Sequence, residues 1–389
     1  MRLDYNKVNC LKMIGFNIPP YVEGTEKYLQ EAINNHKICG DGSFTFKCQK
    51  ILEEKFNSEK IFLTTSGTTA LEMACMLADI GPGDEVILPS YTFSSTATAI
   101  VIFGGTPVFV DIRPDTMNMD ETKIEAAITP KTKAIMVMHY AGVACEMDSI
   151  MAIARKHNLL VIEDAAQGVN ALYKDKYLGT IGDLGCYSFH ETKNYSMGEG
   201  GAISINNTDY SDRAAIIREK GTNRTQFING QVDKYTWVDK GSSYLPSDIL
   251  AAYIYPQLLI MDEINDNRRK SFEIYYENLQ DMKDHVELPF VPEECQHNGH
   301  MFYIKARDLN ERVRLQKYLR ENGVEAVFHY IPLHSADEGL KVGRFVGEDI
   351  YTTKESERLL RLPMYYGLKK EDILKVCDTI RSFYEKETV

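Results

Sequence analysis

Between residues 60 and 164, short apolar runs alternate regularly with stretches of helical period. Strands are expected at 60–65, 85–88, 106–112, 133–140 and 159–164. Helices are expected between them at 68–79, 94–103, 120–128 and 148–158, and GPGD at 81–84 marks a turn. Continuous apolar strands separated by helices imply a parallel sheet covered on both faces. No repeat at solenoid periods interrupts the pattern. From about residue 247 the rhythm changes. Residues 248–277 read as one long helix, with Pro256 as the place for a kink. Strands at 301–307 and 326–330 alternate with helices at 311–322, 351–361 and 370–384, which suggests a smaller α+β unit. The expected organisation is a large α/β domain over 1–250, with a helical segment at its start, and a small C-terminal α+β domain over 251–389. With 389 residues the chain exceeds a usual single core.

Composition narrows the class. The chain is 44% hydrophobic and 26% charged, as globular proteins are. No apolar run approaches the roughly 20 residues of a bilayer span, and the first twenty residues lack the apolar core of a secretion signal. A soluble, cytoplasmic protein without a membrane partner is expected. The eight cysteines, at 10, 39, 48, 75, 145, 186, 295 and 377, form no CxxC pair, which favours free thiols over a zinc site or disulfide frame. A net charge of −12 without a basic run argues against a nucleic-acid partner.

In a parallel sheet, ligands bind beyond the carboxyl ends of the strands. Three polar groups fall there. Thr64 to Thr69 close the first strand and open a helix, where free N–H groups and the positive helix end make an anion site. An ordinary Ser/Thr N-cap would read the same way. Asp164 ends the run LLVIED. A carboxylate there needs a partner, which could be a cap, a salt bridge or a protonated ring nitrogen. Ser188 and Lys193 precede a glycine-rich turn at Gly198, Gly200 and Gly201, then a further strand-like run. A lone lysine so placed is either a surface residue at a hairpin end or a nucleophile with backbone close by. As a nucleophile it must shed a proton held with a pKa of about 10.4.

Together these supply a phosphate cradle, an acid for a pyridinium and an amine for an aldehyde, the three handles of pyridoxal phosphate. Other chemistries lack their signatures. GxGxxG and GxxxxGK[ST] are absent, and His139, His190, His329 and His334 lack metal-ligand spacing, so no metal is expected.

SGTTALE (66–72), PSYTF (89–93), VIEDAAQ (161–167), SFHETKN (188–194) and GEGGA (198–202) make the chain resemble the DegT family of nucleotide-sugar aminotransferases across essentially its whole length. That resemblance implies the type I aminotransferase fold, an α/β class built on a mostly parallel seven-stranded sheet. It implies pyridoxal 5'-phosphate with Lys193 as the Schiff-base lysine. Asp164 pairs with the ring nitrogen, Gln167 contacts the ring hydroxyl, and Ser66, Gly67, Thr68 and Ser188 hold the phosphate. Phe93 stacks on the ring, although a core phenylalanine is the alternative. Family dimers complete each site with a GYNYR asparagine from the other subunit. Here that stretch reads Gly241-Ser242-Ser243-Tyr244-Leu245, placing Ser243 at the asparagine position. Tyr330 and His334 fall where the family meets substrate, with structural roles as the alternative. Some relatives replace the lysine with histidine and act as dehydratases, and Lys193 argues against that chemistry. The stretches at 191–194, 218–224, 241–248 and 328–334 look most like members that transfer nitrogen from L-glutamate to C4 of dTDP-4-keto-6-deoxy-D-glucose for surface polysaccharides. The gluco epimer, amination at C3 and a non-catalytic pyridoxal-phosphate-binding regulator stay open from the sequence.

Overall fold

In the computed structural model the apolar runs form one sheet; the structure describes residues 13–387, so Cys10 lies outside the described residues. The strands are β1 (Ile61–Thr64), β2 (Glu85–Pro89), β3 (Thr106–Val110), β4 (Thr132–Met138) and β5 (Leu160–Asp164). A small pair, β6 (Leu172–Tyr173) and β7 (Lys176–Tyr177), leaves the sheet before β8 (Leu184–Ser188) and β9 (Gly201–Ile205) return to it. Their order is β1-β9-β8-β5-β4-β2-β3. All neighbours are parallel except where β9 runs between β1 and β8. β9 is reversed because a single loop, residues 189–200, joins it to β8, and only an antiparallel neighbour can be reached without a crossover.

The strands are buried on both faces, and alternation sorts their side chains. Ile87, Ile135, Val137 and Val161 enter a core with Phe44, Leu52 and Phe56. Val86, Leu88, Met136 and Ile162 enter another with Met73, Leu77 and Ile100. The later chain has its own core, around β11 (Phe302–Lys305), β12 (Val327–Phe328) and β14 (Leu359–Leu362), in the order β11-β14-β12. The remaining strands have two residues each. β10 (Cys295–Gln296) pairs with β6, and β13 (Arg344–Phe345) extends the main sheet beyond β3 as an eighth strand.

Two expectations are corrected. Residues 248–277 are not one helix. They form Asp248–Leu259 and Met261–Leu279, broken at Ile260 (φ −119°, ψ 30°), while Pro256 stays inside the first. The break lets each piece serve a different core. Ala251, Ala252 and Ile254 pack under the main sheet, whereas Phe272, Tyr275 and Leu279 join the later core. The helix expected at 351–361 stops at Arg358, and Leu359–Leu362 is strand β14. β14 is the central strand, paired on both sides, so its ladder hydrogen bonds override local helix preference. Leu360 and Leu362 face the later core, and Arg361 points to the opposite face. Among the described residues, no helix is long and apolar enough to cross a membrane, and no group of three side chains could hold a metal ion.

Candidate active site

A cavity of about 440 Å³ opens at the carboxyl ends of β1, β5 and β8. Ser66, Gly67, Thr68 and Phe93 line it, and so do Asp164, Gln167, Ser188, Lys193 and Tyr330. Residues far apart in sequence meet there because β1, β8 and β5 end at one level, where the antiparallel β9 between β1 and β8 begins.

The anion cradle is built at the start of the helix Gly67–Leu77. Ser66 caps it: Thr69 N donates to Ser66 Oγ at 3.0 Å, and Ser66 N donates to Thr69 Oγ1 at 2.9 Å. The N-cap alternative is therefore correct, and the cap still leaves backbone donors open toward the cavity. The N–H groups of Gly67 and Thr68 have no acceptor among the described residues. Two glycines allow the convergence. A Cβ on Gly67 would lie 2.8 Å from Ser188 Cβ. Gly201, in register between Thr64 and Ser188, would place a Cβ 2.5 Å from the Ser66 carbonyl carbon.

β5 presents two successive buried carboxylates on opposite faces. Glu163 accepts from Gly179 N, Ile181 N and Gly182 N at 2.6–2.8 Å, and from His139 Nε2 at 2.9 Å. The proton sits on His139 Nε2 because Nδ1 accepts from Cys145 N. Asp164 faces the cavity with fewer partners: Thr96 Oγ1 donates at 2.8 Å and Ala166 N at 3.1 Å. Burial pushes its carboxyl pKa up, while the Thr96 and Ala166 hydrogen bonds and the charges of Lys193 and His139 pull it down.

Lys193 sits in the loop between β8 and β9, which is cross-braced by Phe189 N to Gly200 O and Glu191 N to Gly198 O. Its ammonium makes no hydrogen bond or ion pair with any described residue. Protein encloses it except on the cavity side. That burial, with Arg361 adding to it and Asp164 opposing, lowers its pKa to about 8. A free amine is thus accessible near neutrality. The donors at the helix start, the cavity-facing carboxyl and this amine fit a phosphate, a ring nitrogen and an aldehyde on one ligand.

Gln167 is held at both ends: Ala141 N donates to its Oε1 at 2.7 Å, and its Nε2 donates to Tyr330 Oη at 2.9 Å. Phe93 is 57% exposed at the cavity edge, 6.0 Å from the Tyr330 ring centroid, so it is not a core residue. His334 and Ser243 are not brought to the cavity wall. His334 lies between Ser90 Oγ at 2.6 Å and Asp349 Oδ2 at 3.1 Å. Ser243 is exposed and bridges to Glu219. Sequence reasoning missed Phe16, Asn17, His300 and Arg361, which also line the cavity. For Arg361 the apolar–charged–apolar pattern of Leu360, Arg361 and Leu362 was the available signal.

The profile of the DegT/DnrJ/EryC1/StrS aminotransferase family matches residues 21–381. GDP-perosamine synthase from Caulobacter vibrioides is 34% identical, covering 92% of this chain and 95% of that protein. A UDP-N-acetyl-3-dehydro-alpha-D-glucosamine 3-aminotransferase from Acidithiobacillus ferrooxidans is also 34% identical, covering 81% and 82%. The crystal structure of an aminotransferase of this family from Brucella abortus superposes with a TM-score of 0.85 at 28% identity, covering 92% and 95%.

Proposed function

The chain belongs to the DegT/DnrJ/EryC1/StrS aminotransferase family and is a pyridoxal-phosphate-dependent sugar-nucleotide aminotransferase; from that premise we propose that it moves the amino group of L-glutamate to C4 of dTDP-4-keto-6-deoxy-D-glucose, giving dTDP-4-amino-4,6-dideoxy-D-galactose. The observation that carries the chemistry is the unpaired Lys193 amine, with its pKa lowered to about 8, sharing one cavity with Asp164. The sequence stretches at 191–194, 218–224, 241–248 and 328–334 support the acceptor.

In this reading the Gly67 and Thr68 N–H groups and Ser188 hold the phosphate, and Asp164 holds a proton on the ring nitrogen. When bound, pyridoxal phosphate supplies an electron sink for a carbanion. Lys193 Nζ takes the α-proton of the donor and later delivers a proton to C4 of the sugar. Gln167 and Tyr330 act as one hydrogen-bonded pair facing that chemistry, and Phe93 closes the cavity edge.

We also read the enzyme as a homodimer with shared sites. The exposure of Ser243, with Trp237 (78% exposed) and Phe227 (42% exposed) in the preceding segment, supports a covering surface.

The test is incubation of purified protein with L-glutamate and each keto sugar, followed by NMR of the product. Conversion of the dTDP-4-keto sugar to the galacto 4-amine is expected. Two relatives' names point elsewhere, to a GDP-linked sugar and to C3 of a UDP-linked one. Turnover of either of those substrates alone, or a gluco or C3 product, overturns the acceptor. Bound cofactor that never reacts with any donor would mark a regulator instead.

A further inference from the structure

Among the described residues the buried arginines are held by protein partners, and a half-buried one in the cavity wall is held by much less. Arg218 forks onto Asp41 at 2.9 and 2.7 Å, so its charge is matched although its Nε has no acceptor. Arg268 donates to the carbonyls of Gly299, His300 and Met364. Arg361 has far less. Its Nη2 donates to Phe328 O at 3.1 Å, and its Nε is sealed from water with no acceptor. Among the described residues no carboxylate lies within 4 Å of its guanidinium, which is stacked 4.7 Å from the Phe16 ring centroid. A buried donor without a partner is unfavourable. Such a group in a cavity wall implies that the missing acceptor comes with a ligand.

The fork of a guanidinium matches a carboxylate or phosphate oxygen pair. Position separates the two. Arg361 lines the same cavity as Lys193, His300 and His329, and its charge lowers the pKa of all three, which places it beside the amine. A carboxylate of an amino acid lies close to the reacting nitrogen, whereas the diphosphate of a sugar nucleotide is held beyond the sugar ring. Strand alternation fixes the orientation, since Leu360 and Leu362 anchor β14 in the core and Arg361 faces the other way.

We propose that Arg361 is an anion subsite of the cavity and binds a carboxylate of the amino donor. This rests on the reading of the cavity as the place where donor and acceptor react in turn. The experiment separates the two half-reactions in the holoenzyme. Arg361→Gln should raise the L-glutamate concentration for half-maximal loss of the cofactor's visible absorbance by about 10- to 100-fold. The loss should fall on this step at least ten times more heavily than on reaction of the aminated enzyme with the keto sugar. Arg361→Lys should recover part of it. Calorimetric titration with glutarate, which has carboxylates but no amine, should show weakened binding in Arg361→Gln, with retained cofactor absorbance verifying the fold. Unchanged glutamate dependence, unchanged glutarate affinity, or a loss centred on the keto-sugar step would overturn the assignment. If the wild type does not react with glutamate, the donor reading fails, and the glutarate titration still decides on Arg361.

Discussion

Glu163 and Asp164 are adjacent carboxylates on one strand and both buried, yet the fold uses them in opposite ways. Glu163 is enclosed by three backbone N–H groups and His139, which leave no capacity for a ligand. Asp164 has Thr96, Ala166 and an open side facing Lys193 across the cavity. The difference teaches that burial alone does not mark a functional acid. A saturated carboxylate is a structural joint, here tying the 179–182 turn to β5, and an undersatisfied one in a cavity wall is poised for a partner.

The comparison can be broken most sharply from the cavity side. Lys193→Ala removes the amine that Asp164 faces, and should abolish the visible absorbance of the bound cofactor and lower turnover by at least about 10⁴-fold. A variant that keeps wild-type turnover would end the assignment of the lysine. Asp164→Asn should retain cofactor but lose roughly 10²- to 10³-fold in kcat, because the ring nitrogen loses its acid partner. The apoprotein should melt no lower than wild type at pH 7. The folded carboxyl has a raised pKa, so its ionisation costs stability as pH rises past the unfolded value of about 3.9. Calorimetry of the apoprotein checks this, and a large drop in Tm would place Asp164 with the structural carboxylates.

Glu163→Gln should show the converse. An amide NH₂ set against N–H donors costs about 3–5 kcal/mol of folding stability, read by urea unfolding, while kcat of the folded fraction stays near wild type. Loss of catalysis at full stability would erase the distinction between the two acids. Thr96→Val removes the hydroxyl donor to Asp164 Oδ2 and should lower kcat by about 10-fold, leaving the KM for the donor unchanged. The smallest effect is one of pH. Addition of pyridoxal phosphate to the apoprotein needs the neutral Lys193 amine. Stopped-flow absorbance should therefore show the rate rising with pH and levelling off above about 8. A rate still climbing tenfold per unit beyond pH 9 would mean that the pKa of the lysine is not lowered by its burial.

Much of this arrangement was legible from the residues. The alternation over 60–164 specifies a parallel sheet because only strands buried on both faces are apolar throughout, and their carboxyl ends then locate Thr64–Thr69 and Asp164. Lys193 taken alone reads equally as a surface residue, and it was legible only together with Thr64–Thr69, Asp164 and the family motifs around them. The helix break at Ile260 and strand β14 were not legible. Apolar runs of four to six residues suit either a helix or a strand, and their neighbours in space decide.

The order of the residues thus settled the class of sheet and the level at which its strands end, since hydrophobic period and turn chemistry are local properties, and its motifs singled out Lys193 as the candidate amine. Tertiary structure alone separated Glu163 from Asp164, kept Ser243 and His334 off the cavity wall, and turned Arg361 toward it. Each of these depends on which strand face meets which neighbour, and on how many donors that neighbour brings. Those are relations between segments dozens to hundreds of residues apart, and no local pattern encodes them.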